Sequence, residues 1–195
     1  MVGNTQRNSI GTLGAVVFDA DSLEPMGLSN HHVLVGAEGE EGDEVAQPNS
    51  GDPNDVIGTL TRSDFELDCA VCTLNDSREI STGIFDLLPE GVGGVVKPEL
   101  GMAVAKSGRT TGTTFGIIDG VDTEGFSIIP DLANPPSEGE ISAGGDSGSV
   151  WIEVETSNAV GLHFAGEADE ANEERAFAKR MANVAITLNI MLVEG

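Results

Sequence analysis

The stretch 142–151, SAGGDSGSVW, sets three glycines and several small residues around one Asp146–Ser147 pair, and its end leads into SVWIEV, which reads as a strand. Glycine permits backbone angles and close approaches that other residues resist, so this density describes a loop whose N–H groups must meet something. A tight turn between strands is the plainer reading, because Ser-between-glycine patterns are loose. The remainder of the chain has to decide between them.

Working outward, IGTLGAVVFDA (10–20) and MGLSNHHVLV (26–35) read as two β segments joined by the turn-forming DSLEP. After an acidic loop come DVIGTLTRS and FELDCAVCTL, again β-branched and apolar. The Gly and Pro density of PEGVGGVVKPE then marks a connector near residues 86–98. Beyond it, MAVAKSG, TTFGIIDGV, GFSIIPDL, SGSVWIEV and NAVGLHFAG repeat the grammar of short strands and turns. Two β-barrels of similar size fit this pattern, over 1–90 and 91–167. The end differs: Phe177, Met181, Val184, Leu188 and Met191 fall three or four apart, which predicts one amphipathic α-helix within 168–195. The expected class is therefore all-β with a C-terminal helix.

Composition narrows the function. A chain of 195 residues can bury one large core or two small ones, and none of its apolar runs approaches the roughly 20 residues that span a bilayer. Its opening MVGNTQRNSI lacks the basic start and apolar stretch of a secretory signal, so a cytoplasmic location is expected. With 33 acids against 9 bases the net charge is −24, and the only lysines are Lys97, Lys106 and Lys179. Nucleic acid would be repelled, and no membrane partner is expected. The acidic runs GAEGEEGDE (36–44) and GEADEANEE (166–174) read as solvated faces, with a salt-rich habitat as a second explanation. Calcium near Asp52 and Asp55 is a third, although EF-hand spacing is absent. Cys69 and Cys72 are an odd number of residues apart on an apparent strand, so they point to opposite faces and read as buried, reduced thiols.

Two of the three histidines, His31 and His32, are adjacent in LSNHHVL, and Asp68 precedes an apolar strand in FELDCAVCTL. Alone, each has an ordinary structural reading as a satisfied histidine or an edge acid. Together with Ser147 they give His, Asp and Ser in that chain order, the first two in the first β half and the serine in the second. A cleft between two barrels would bring them together.

At these residues the chain resembles the chymotrypsin-like, or trypsin-fold, serine proteases over nearly its whole length. SNHHV is similar to the histidine segment of that family, DCAV to its aspartate segment, and GGDSGS to its nucleophile loop. Among its branches, the disulfide-free bacterial members, including the high-temperature-requirement proteases and glutamyl endopeptidases, look most similar. The resemblance implies a chymotrypsin-like double β-barrel that hydrolyses polypeptides through an acyl-enzyme and needs no cofactor or metal. It implies Ser147 as nucleophile, His32 as base and then acid, and Asp68 as the group that orients the imidazole. Of the two histidines, His32 is chosen because it directly precedes Val33, as in the family segment. The resemblance also explains the glycines, since it makes the N–H groups of Gly145 and Ser147 face the developing oxyanion, a contribution of roughly 3 to 4 kcal/mol per donor.

Two departures qualify the resemblance. No cleaved apolar amino terminus is evident to pair with Asp146, so Arg109 in KSGRTTG is a candidate partner beside its reading as a surface arginine. The interval from His32 to Asp68 is short, which implies trimmed loops in the first barrel. For specificity, the resemblance puts Ile141 at the base of the substrate pocket, with Ser142 beside it and His163 of GLHFAG in its wall. That set disfavours Lys and Arg and suits Glu or Gln, while a histidine merely packed in the barrel is the competing reading of His163. A catalytically silent peptide-binding or scaffold module is the alternative function. An α/β-hydrolase esterase lacks support, since strand–helix alternation is absent and its triad runs serine first. Oligomeric state is left open.

Overall fold

A computed structural model describes residues 1–6, 9–137, 139–167 and 173–192. The first half builds β1 (Gly3–Asn4), β2 (Ala15–Asp19), β3 (Pro25–Ser29), the helical turn α1 (His31–Leu34), β4 (Glu44–Ala46), β5 (Val56–Asp64) and β6 (Cys69–Leu74). The second builds β7 (Ala103–Gly108), β8 (Gly112–Val121), β9 (Gly125–Pro130), β10 (Val150–Glu153), β11 (Ala159–Gly166) and β12 (Ala176–Arg180). Helix α2 (Met181–Thr187) and β13 (Ile190–Met191) follow. Strands β7–β12 close into an antiparallel barrel of order β10-β11-β12-β9-β8-β7, and the others form a seven-stranded sheet of order β1-β4-β5-β6-β3-β2-β13. The all-β, two-barrel architecture with one C-terminal helix is the expected one.

Side-chain alternation explains the layers. In β2 buried residues alternate with half-buried ones, Ala15, Val17 and Asp19 pointing inward, as a pleated strand with one covered face requires. Val33, Val45, Leu60 and Cys72 pack inside the first sheet, while Val104, Ile118, Ile128 and Trp151 fill the second barrel. A third cluster, with Val17, Leu28, Val71, Val150, Leu162 and Met181, draws on both halves and cements them together. Cys69 belongs to that shared cluster and Cys72 to the first barrel's interior, so the two thiols do face opposite ways. Both are free, and burial pushes each up to about 12.

Three expectations change. The segment 26–35 is not one strand: it leaves the sheet at Ser29 and coils into α1, with Val33 and Leu34 turned into the core. Phe177 is not helical but lies in β12, the strand between β11 and β9 that completes the second barrel, so that barrel extends past residue 167. The helix is confined to seven residues, after which Ile190 crosses back to pair with Asp19 of β2. A strand end, a short helix and a second strand had merged into one apparent helical period. Asp52 and Asp55 have other employment than a cation: Asp52 accepts from the Asn54 N–H at 2.9 Å, and Asp55 is held by Arg78 at 3.0 Å.

Self-repulsion among the excess carboxylates works against the compact state. Salt shortens the screening length from about 30 Å at 0.01 M to about 3 Å at 1 M, which relieves it. The thermal midpoint, followed by circular dichroism, is expected to rise across that range; a flat or falling midpoint would show that surface repulsion is not a significant cost.

Candidate active site

The helical turn α1 places two neighbouring histidines very differently. The His32 ring puts Nδ1 2.7 Å from Asp68 Oδ2, and the His32 backbone N–H donates to Asp68 Oδ1 at 2.9 Å. One carboxylate thus grips both ring and backbone. With the Nδ1 proton facing that carboxylate, Nε2 is left with its lone pair free to accept. Asp68 achieves this from a left-handed backbone, φ +48°, which Asp tolerates better than most residues. The turn that enforces it is closed by Leu67 N–H to Asp64 Oδ1 at 2.8 Å, and Asn30 Nδ2 donates to the Asp68 carbonyl at 2.7 Å. His31 instead meets the exposed Phe65 edge-on, ring centroids 5.4 Å apart. The two rings diverge because successive residues of a helical turn differ by about 100°, rather than by the alternation of a strand.

Ser147 lies in a loop threaded onto the first half of the chain. The Thr12 N–H donates to the Ser147 carbonyl at 2.8 Å and Thr12 Oγ1 to the Gly145 carbonyl at 2.9 Å. Ser29 Oγ donates in turn to the Thr12 carbonyl at 2.8 Å, so the Ser147 loop is tied to the chain just before the histidines. Gly148, at φ +96°, passes so close to Ser29 and Thr12 that a Cβ would sit 2.3 Å from both. Within the loop the N–H groups of Asp146, Gly148 and Ser149 donate inward, to Ala143, His163 and Asp146. Those of Gly145 and Ser147 have no acceptor among the described residues. Gly145 reaches the required shape at φ +103°.

Asp146 anchors this loop, and its partner is Lys106, not Arg109. Both side chains are fully buried, with Nζ 3.0 Å from Oδ2. Thr111 Oγ1 donates to the same oxygen at 2.6 Å, and the Thr110 N–H to Oδ1 at 2.8 Å. Burial alone would raise this carboxyl, but the Lys106 ammonium and the hydrogen bonds outweigh it and hold it at about 2. Gly108 is needed beside it, since a Cβ there would come within 2.4 Å of Asp146 Oδ1. The Arg109 side chain lies instead against Gly145. Lys106 was the missed residue. Its signal was available, one of three lysines set in the apolar strand MAVAKSG, where an inward lysine needs an acid.

Of the expected pocket residues, Ile141 is fully buried in the second core. Ser142 Oγ is buried with no hydrogen-bond partner among the described residues and lies against Gly166 of β11, where a Cβ would approach it to 2.4 Å. His163, also on β11, is buried, and its Nδ1 accepts from Trp151 Nε1 at 3.5 Å. Burial and the nearby Lys106 charge push His163 down to about 3, against the opposing pull of Asp146.

No protein-family model matches the sequence, and no curated protein matches it either. Solved structures do match in shape. A glutamic-acid-specific serine protease described as using a histidine triad in substrate binding superposes with a TM-score of 0.73 at 14% identity, over 98% of this chain and 96% of that one. Protease A of Thermobifida fusca gives 0.71 at 19% identity, over 97% and 94%. Cellulomonas bogoriensis chymotrypsin gives 0.70 at 16%, over 100% and 96%. The chain therefore has the double-barrel fold of the bacterial chymotrypsin-like serine proteases.

Proposed function

We propose that the protein is a serine endopeptidase, with Ser147 as nucleophile, His32 as general base and acid, and Asp68 orienting His32. The observation that carries this is the 2.7 Å contact between His32 Nδ1 and Asp68 Oδ2, made in a fold whose nucleophile loop leaves the N–H groups of Gly145 and Ser147 unspent. As Ser147 Oγ bonds to the scissile carbonyl carbon, its proton passes to His32 Nε2. The carbonyl oxygen takes up the negative charge and is met by the two N–H groups. Collapse breaks the C–N bond, the amine leaves with the His32 proton, and water releases the acyl group by the same steps in reverse. Asp68 stays ionised and stabilises the imidazolium.

Ser142 and His163 support a preference for Gln or Glu before the cleaved bond. Lys or Arg would bring a charge into a region where Ile141 offers no counterion. A histidine held at about 3 is neutral at working pH, so it brings neither a counterion for glutamate nor a charge that would exclude glutamine.

Ser147→Ala is expected to lower peptidase activity by about 1,000-fold or more with folding unchanged. His32→Ala should match it, and His31→Ala should stay within about tenfold of the parent; retention of activity in Ser147→Ala would falsify the assignment. Lys106→Met leaves a buried carboxylate without its cation and is expected to cost about 3 to 5 kcal/mol in urea unfolding. Because Asp146 is held at about 2, below its ordinary 3.8, its contribution to stability is complete above pH ~4 and is lost as pH falls through ~2. A Lys106→Met protein as stable as the parent at neutral pH would show that the pair does not anchor the loop. On a mixed peptide library, cleavage after Gln or Glu is expected at low and moderate salt. A dominant Lys, Arg or aromatic preference, or a profile unaltered in His163→Ala, would defeat the specificity while leaving the peptidase standing.

A further inference from the structure

A cavity of about 440 Å³ opens between the two halves of the chain, behind the nucleophile loop. One wall is the run Thr12–Val16, the other is Ser107–Arg109 at the end of β7, and the inter-barrel connector supplies the rim. The volume lies within the roughly 300 to 1,000 Å³ of small-ligand sites. Its lining is apolar at Leu13, Ile57, Leu74 and Ile84, and the rim carries two poorly covered side chains, Ile80 at 40% exposure and Phe85 at 89%. Aromatic and aliphatic groups left this open beside a cavity favour an apolar occupant.

The charge at the cavity points to the other half of that occupant. In a chain of net charge −24, two of the nine bases, Arg78 and Arg109, line this space together with Met1 and a single acid, Glu79. Arg78 is committed to Asp55. Arg109 has no carboxylate within ion-pair distance among the described residues, and its guanidinium makes one long contact, 3.4 Å to Thr110 Oγ1. Gln47 and Ser107 also line the cavity, and their side chains make no hydrogen bond among the described residues. Free amide and hydroxyl groups suit the amides of a peptide and leave an alkyl chain with unpaired polar neighbours.

The same wall holds the nucleophile loop. Arg109 N–H donates to Thr12 Oγ1 at 2.9 Å, Thr12 Oγ1 donates to the Gly145 carbonyl at 2.9 Å, and Thr12 N–H to the Ser147 carbonyl at 2.8 Å. Thr110 Oγ1 donates to the Gly144 carbonyl at 2.7 Å. Each carbonyl belongs to a peptide unit whose orientation fixes where the next N–H points, and the units ending in Gly145 N–H and Asp146 N–H begin at Gly144 and Gly145. A ligand that draws on Arg109 therefore acts on the loop from behind.

We propose that this cavity is an effector site for the C-terminal residue of a peptide, its apolar side chain among Leu13, Ile57 and Ile84 and its carboxylate on Arg109, and that occupancy changes the reactivity of Ser147. The second half of the proposal rests on the peptidase reading. The first does not.

The test uses the whole chain and three probes: the acid acetyl-Ala-Phe, its C-terminal amide, and octanoate. Binding is followed by isoleucine methyl NMR in Ser147→Ala, so that cleavage and acylation play no part, and Ser147 reactivity in the parent by the rate of fluorophosphonate labelling. The acid is expected to bind about tenfold or more tighter than the amide, with shifts centred on Ile57, Ile80 and Ile84. Arg109→Gln should bring the acid down to the amide's affinity. Saturating acid should alter the parent's labelling rate by about fivefold or more and leave that of Arg109→Gln unmoved. Equal binding of acid and amide, shifts elsewhere, or octanoate binding as tightly as the peptide acid would overturn the site. Binding without a change in labelling would overturn the effector role. A Ser147 that never labels would sink the peptidase reading, and the binding arm alone would then decide the cavity.

Discussion

The buried pair of Lys106 and Asp146 is the contact on which the rest of the site depends. A carboxylate and an ammonium are both costly to remove from water, and each is tolerable here only because the other is within 3.0 Å and hydroxyl and backbone donors complete the carboxylate's shell. The shell belongs to the β7–β8 turn, the carboxylate to the nucleophile loop. Their union fixes the loop to the barrel at the residue between Gly145 and Ser147, whose N–H groups have no acceptor among the described residues. Were Asp146 to leave its cage, the intervening peptide units would rotate and those N–H groups would no longer point together. The cation comes from a side chain already in strand β7, so barrel and loop are joined by residues of the chain itself.

The second constraint is the joint between the halves. His32 and Asp68 reside in the first, Ser147 in the second, and a hydrophobic cluster shared by both sets their separation. Hydrophobic contact is not directional, so it brings the halves together without fixing registry to the accuracy that proton transfer needs. The directional work falls to Thr12, which uses its N–H, its hydroxyl and its carbonyl on Ser147, Gly145 and Ser29. One residue thereby joins the strand before the histidine to the loop that carries the serine. Val33 adds a steric part, because Gly11 is wedged between its methyl groups and the Ser147 carbonyl with no room for a side chain.

What was legible in the sequence was what local chemistry writes locally. The glycine density of 144–148 announced a loop, in which Gly145 and Gly148 take positive φ, and alternating β-branched runs announced strands. The order His32, Asp68, Ser147 announced a site, and the first two meet. Illegible were the features set by long-range partners. Lys106 and Asp146 are 40 residues apart, so the apolar strand around the lysine signals that it needs an acid without saying which one. The period over Phe177 to Leu188 was real in that Met181, Val184 and Leu188 all face the shared core, yet the backbone changes from strand to helix beneath it. Periodicity reports which side is buried, and for short elements it does not report by what backbone geometry.

Scarcity of cations gives the molecule its remaining logic. Three of the described bases sit at joints of the fold. Lys106 locks the nucleophile loop. Arg62 reaches from β5 to Asp19 of β2 at 2.8 Å and to the Leu188 carbonyl at the end of α2 at 2.9 Å, stapling the C-terminal segment to the first sheet. Arg175 clamps Asp119 of β8 at 2.7 Å beside the entry to β12. With 33 acids against 9 bases, an acidic polypeptide approaches against the field of the entire molecule.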